Sequence, residues 1–62
     1  MNISIAVVNE HRLQALLAKI DKTAPAADIS DAMLDAFWTV YPMAEADSAM
    51  AWHDRNIARF LG

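Results

Sequence analysis

The chain has 62 residues, no cysteine and a net charge of −3, so it makes one domain near the lower size limit for unaided folding, without disulfides or thiolate metal ligands. Five Lys and Arg stand against eight Asp and Glu, which argues against a phosphate-binding surface, because nucleic-acid affinity rests on neutralising phosphates. Two histidines and scattered carboxylates do not make a structural zinc site, and no cofactor is expected.

Apolar residues form 56% of the chain; thirteen are alanine, leaving 22 larger ones, many for so small a volume. At this size, area burial minus chain entropy comes out near zero. A homodimer would use the surplus apolar residues and supply the missing stability. No apolar run approaches the ~20 residues needed to span a bilayer. The N-terminus lacks the basic and long apolar regions of a signal peptide, so a cytoplasmic protein is expected.

Residues 2–8 form an arm that reads in two ways. Asn2, Ser4 and Ala6 alternate with Ile3, Ile5 and Val7, the pattern of a short strand. No Gly or Pro interrupts the run into Asn9, so a helix is also open. On a helix, Ile3, Val7 and Val8 lie off the stripe of the residues that follow, which requires a second contact face.

A first helix is expected over residues 9–22. Leu13, Leu16, Leu17 and Ile20 fall within about 100° of arc. Asn9 is placed to cap it, with Glu10 in the first turn and Lys19 and Lys22 in the last, where each charge suits the dipole. Residues 23–27 (TAPAA) read as a linker, since Pro25 pushes Ala24 out of the helical region.

The next helix, residues 29–41, is expected to be the central element. At about 100° per residue, Val40, Met33, Phe37, Tyr41, Leu34 and Trp38 cover an arc of roughly 160°, wider than a helix covering one side of a core needs. Such a helix should be flanked on two sides. Asp31, Asp35 and Thr39 share the remaining face with Ala32 and Ala36. Asp28 or Ser30 is expected at its N-cap, and Pro42 ends it near Tyr41. A third helix follows over residues 43–61, with a stripe of Ala46, Ala49, Met50, His53, Ile57, Phe60 and Leu61. The layout is all-α: a three-helix domain with an arm.

His53 sits within that third stripe. A ligand, a proton carrier or a pH switch is one reading. The expectation is a core or interface histidine hydrogen-bonded to a carbonyl or a carboxylate, since no second histidine stands three or four residues away. Asp47 and Asp54 project away from the stripe on an ideal helix. Asp28, Asp31 and Asp35 share one face of the central helix, where paired carboxylates can hold Mg²⁺ or do acid–base work; a solvated face, open to a basic partner, is the plainer reading. Trp52 falls among Glu45, Ser48, Arg55 and Arg59, as an interface anchor would, or it folds back over the arm or linker. Ser4, Ser30 and Ser48 are each explained by local roles. With one glycine there is no phosphate loop, and no nucleophile stands with its base.

These features point to a non-catalytic, homodimeric regulatory or inhibitory protein that binds another protein, a kind common among phage and mobile-element proteins. Trp52, Trp38, Tyr41, Asp31 and Asp35 are the expected partner contacts. Phe37, Met33, Leu34, Leu17, His53 and Ile57 are the expected core or dimer residues. The order strand, helix, linker, helix over Asn2–Tyr41 resembles the ribbon-helix-helix repressors, which implies a dimeric DNA-binding regulator. Here Asn2, Ser4 and Ala6 hold the strand positions that read DNA in those proteins, and none is basic. A further alternative makes the acidic stripe a mimic of nucleic acid.

Overall fold

A computed structural model describes residues 4–61. Three helices follow in order, α1 (Ile5–Leu17), α2 (Ala26–Val40) and α3 (Ala46–Leu61), and no strand occurs among the described residues. The fold is an all-α three-helix domain.

Helix α1 starts at the arm. The Ser4 Oγ accepts from the Val7 amide at 3.2 Å, and the Ser4 carbonyl accepts from Val7 and Val8. Ser4, not Asn9, is therefore the N-cap, and the stretch from Ile5 to Val8 is helical. A lone strand would leave its backbone groups unpaired, and the β-branched run cannot outweigh that. Asn2 and Ile3 of the expected arm lie outside the described residues. The strand required by the ribbon-helix-helix resemblance is thus replaced by helix from Ile5 onward.

The helix also ends earlier than its apolar periodicity suggests, at Leu17. Asp21 decides this. Its Oδ1 accepts from the Thr23 amide at 2.9 Å and from the Thr23 hydroxyl at 2.6 Å, a local turn that competes with helix for the backbone. Lys19 and Lys22 consequently lie beyond the helix end. The Lys22 ammonium instead stands 5.5 Å from the centre of the Phe60 ring, a weak cation–π link between this connection and α3.

Helix α2 begins before either expected cap. Pro25 is the N-cap, and its carbonyl accepts from Asp28 and Ile29. Pro25 holds φ at −56°, already suited to helix entry, so no side-chain cap is used. Asp28 falls in the first turn, where the dipole favours it. The helix ends at Val40, with Tyr41 as C-cap and Pro42 following. The next three residues turn the chain, the Ala44 amide donating to the Tyr41 carbonyl as Ala24 does to Asp21. This turn takes up Met43, and α3 starts at Ala46 instead of residue 43. Because the two connections are alike, Ile29 and Ala49, twenty positions apart, enter the core at equivalent places.

The core comprises Leu13 and Leu17 from α1, Ile29, Met33, Ala36, Phe37 and Val40 from α2, and Ala49 from α3. Both outer helices pack along α2 and not along each other, so α2 is flanked on two sides as its arc requires. Ala36, expected on the polar face, is buried; its small side chain lets a neighbouring helix approach. Leu34, Ile57 and Phe60 pack at the edge of the core.

Helix α3 is turned from its expected phase. Ala49, Trp52, His53, Asn56, Ile57 and Phe60 face inward, while Ala46, Met50 and Leu61 are exposed. That is a rotation of about 50° at 100° per residue. Packing the indole of Trp52 removes more apolar area from water than packing Met50 or Leu61, and the larger area sets the phase.

Phe37→Ala should cost about 3–5 kcal/mol, a large part of the stability of so small a domain. Urea melts followed by circular dichroism measure this, and a loss under about 1 kcal/mol would contradict the central place of Phe37. The Thr23 hydroxyl, and secondarily its amide, holds the Asp21 carboxyl below the usual aspartate range. A depressed folded-state pKa stabilises above the unfolded value, and that contribution is lost as pH falls through the folded one. Thr23→Ala should raise the Asp21 pKa in a carboxyl NMR titration and shrink the acid-side loss of stability; an unmoved titration would contradict the bond.

Candidate functional site

Two groupings on α2 and α3 carry the side chains with chemistry. The first is aromatic. Phe37 has Trp38 edge-on at 5.6 Å between centroids, and Tyr41 and Trp52 tilted against it at 5.1 Å each. Aromatic pairs at these separations gain about 0.5–1.5 kcal/mol each beyond burial. Phe37 itself is buried, whereas Trp38, Tyr41 and Trp52 are half-buried. Trp52 thus folds neither onto the arm nor out among its charged neighbours; it closes over α2 and keeps part of its surface at the protein exterior.

The second grouping is polar and crosses from α2 to α3. The Ser30 Oγ lies 2.6 Å from His53 Nε2, and Asp54 Oδ1 lies 3.1 Å from His53 Nδ1. An ionised carboxylate only accepts, so in neutral His53 Nδ1–H donates to Asp54 and the Ser30 hydroxyl donates to Nε2. The His53 side chain is 12% exposed and the Asp54 side chain 74%. The Asp54 contact is therefore weakened by solvent, and the Ser30 bond is the sheltered one. His53 is hydrogen-bonded within the packed region, to a hydroxyl and a carboxylate rather than to a carbonyl.

The atom order here, hydroxyl to Nε2 and Nδ1 to carboxylate, is also that of a nucleophile, its base and an orienting acid. Such a chain acts only where a reacting carbonyl can reach the hydroxyl. Three shallow surface hollows lie elsewhere. Val7, Val8, His11, Arg12 and Ala15 line one; the α1–α2 connection with Ile29 and Ala32 forms another; the ends of α1 and α3 form the third. What the arrangement does in the fold is tie α2 to α3 beside the aromatic group.

Asp31 and Asp35 are exposed beside Trp38, and neither joins an ion pair among the described residues. Met33 and Leu17 are core; Leu34 and Ile57 lie at its edge. Among the described residues, no three His, Asp or Glu side chains gather where they could hold a metal ion, and no helix is long and apolar enough to cross a membrane. The spacing of the sequence did not single out Ser30 or Asp54. A signal existed for Ser30: it precedes Leu34 by one turn and Phe37 by two, which puts it on the same stripe. For Asp54 there was none, because adjacent residues diverge by about 100° on a helix and only a turned imidazole brings them together.

If the cross-helix bond stabilises as its burial indicates, Ser30→Ala should cost about 1–3 kcal/mol by leaving Nε2 without its partner. A double-mutant cycle with His53→Ala should give a coupling of about 0.5–3 kcal/mol in urea unfolding. Additive effects would mean that the two side chains do not act together.

The chain matches no protein-family model, no curated protein and no solved structure.

Proposed function

We propose that the chain is a small regulatory or inhibitory protein without catalysis of its own, which binds another protein and works as a homodimer. One observation supports the binding role above others: three aromatic rings close around Phe37, and each keeps part of its surface exposed, with the free carboxylates of Asp31 and Asp35 alongside. Interfaces favour partly exposed aromatics within a polar rim. Trp38 and Tyr41 supply the apolar contact on this surface, Trp52 borders it, and the two acids select a partner with basic side chains. The homodimer is supported by the large apolar residues left outside a core of eight.

The test is affinity capture from lysate of the source cell, with the wild type and an Asp31→Lys, Asp35→Lys double variant in parallel. Both substitutions are exposed and should change stability by no more than about 0.5 kcal/mol each. The expected result is a protein enriched by the wild type and lost with the variant, in a complex that weakens as salt rises. Equal retention by the variant would remove the proposed surface. No enrichment over a bare matrix would remove the partner-binding reading itself.

A further inference from the structure

Cations and acids are segregated on this chain. Of its five Lys and Arg, two have polar company. Arg12 donates to Asn9 Oδ1 at 3.3 Å, and Lys19 shares a hollow with Asp21 and Asp28. The other three, Lys22, Arg55 and Arg59, are exposed and join no ion pair among the described residues. The fold brings them to one edge. Arg55 and Arg59 stand about one turn apart on α3, where like charges repel. Arg59 and Lys22, distant in sequence, line one hollow with Gln14, Leu17, Ala18 and Phe60. It lies between the C-terminal ends of α1 and α3, two helices that do not pack along each other. The last carbonyls of each helix attract positive charge, which accounts for a cation at either end. They do not account for three cations gathered where no carboxylate is in the lining, in a chain with eight acids.

We infer that this hollow binds a small organic phosphate, a phosphomonoester carried on a compact apolar or aromatic body. The inference is independent of the partner protein and of the homodimer. Three observations select this ligand. The first is charge. A phosphomonoester carries about −1.5 to −2 near neutral pH, which matches the two cations of the lining, whereas a carboxylate leaves one of them unmatched. The second is the set of donors. Arg59 offers a planar fork suited to paired phosphate oxygens, and Lys22 offers a point charge with three donors. The Lys22 ammonium stands 5.5 Å from the centre of the Phe60 ring, which keeps it beside the hollow. The third is shape. Leu17, Ala18 and Phe60 supply an apolar wall, and the volume of about 280 Å³ falls just under the range for drug-sized ligands, room for a phosphate and a ring. The net charge of −3 does not oppose this. Exposed charges more than about 8 Å away are screened at physiological salt, so one phosphate responds to the local cations, whereas a nucleic acid needs many phosphates neutralised together.

Phenyl phosphate is the probe, titrated into the wild type at constant ionic strength and followed by amide NMR, beside inorganic phosphate and benzoate. The expected result is saturable shifts centred on Leu17, Ala18, Lys22 and Phe60, with phenyl phosphate bound about tenfold or more tightly than either comparison anion. Arg59→Gln and Lys22→Gln should each weaken binding about tenfold, and Arg12→Gln should leave it unchanged. All three positions are exposed, circular dichroism checks that each variant folds, and the shift map on the wild type needs no variant. No saturation by about 10 mM phenyl phosphate, shifts centred on Arg12 or Lys19, or full binding by Arg59→Gln would overturn the site. Benzoate bound as tightly as phenyl phosphate would overturn phosphate as its ligand.

Discussion

The structure depends on α2 burying apolar surface toward two neighbours at once. Five of the eight core residues come from this helix, and neither α1 nor α3 has another helix to lie along. With one helix between two others, each outer helix needs only one apolar stripe, whereas the middle one needs nearly two. That requirement explains why Ala36 is buried although it follows Asp35, and why the acids are confined to the narrow arc left over. It also makes stability uneven along the chain. Around Phe37 and Met33 every change is felt by two interfaces. The first two turns of α1 bury no residue and are held by the Ser4 cap, by helix hydrogen bonds and by exposed side-chain bonds from Arg12 to Asn9 and from Gln14 to Glu10, so they gain little support from the core.

Phe37 links this frame to chemistry at the surface. Its ring is the point where Trp38 and Tyr41 from its own helix meet Trp52 from α3. Two turns before Phe37 on α2, Ser30 bridges to His53 of α3 with a hydrogen bond. The aromatic group supplies attraction without strict direction, and the hydrogen bond supplies direction with modest net energy. Together they set the rotation of α3 about its axis. A surface whose aromatic edges are fixed from behind in this way loses little side-chain entropy on meeting a partner, which is why rigidity of the core bears on the proposed binding role.

Several features were legible in the residues. The widely apolar arc of Met33–Tyr41 required a central helix, and Pro25 and Pro42 required chain breaks near their observed places. Leu13 and Leu17 marked the inward side of α1. Other features were hidden because a longer-range interaction outweighed the local pattern. The Asp21–Thr23 turn cut α1 short of its charged end. Trp52 drew α3 away from the phase that Met50 and Leu61 suggested. His53 found Ser30 across a helix–helix gap that no spacing within one segment encodes.

The sequence by itself determined the class of the fold, the number of helices and which of them is central, because helical periodicity and proline are local and each residue carries its own share of the signal. It determined less at the arm, where the β-branched run of residues 2–8 suits a strand and a helix about equally. Only the structure decided that Ile5–Val8 is helical, with the Ser4 cap starting α1 at Ile5. The same decision placed Val7 and Val8 on the outer side of α1. Rotation about a helix axis and contact between distant segments depend on the area buried against a neighbour, and that area exists only once the helices have met.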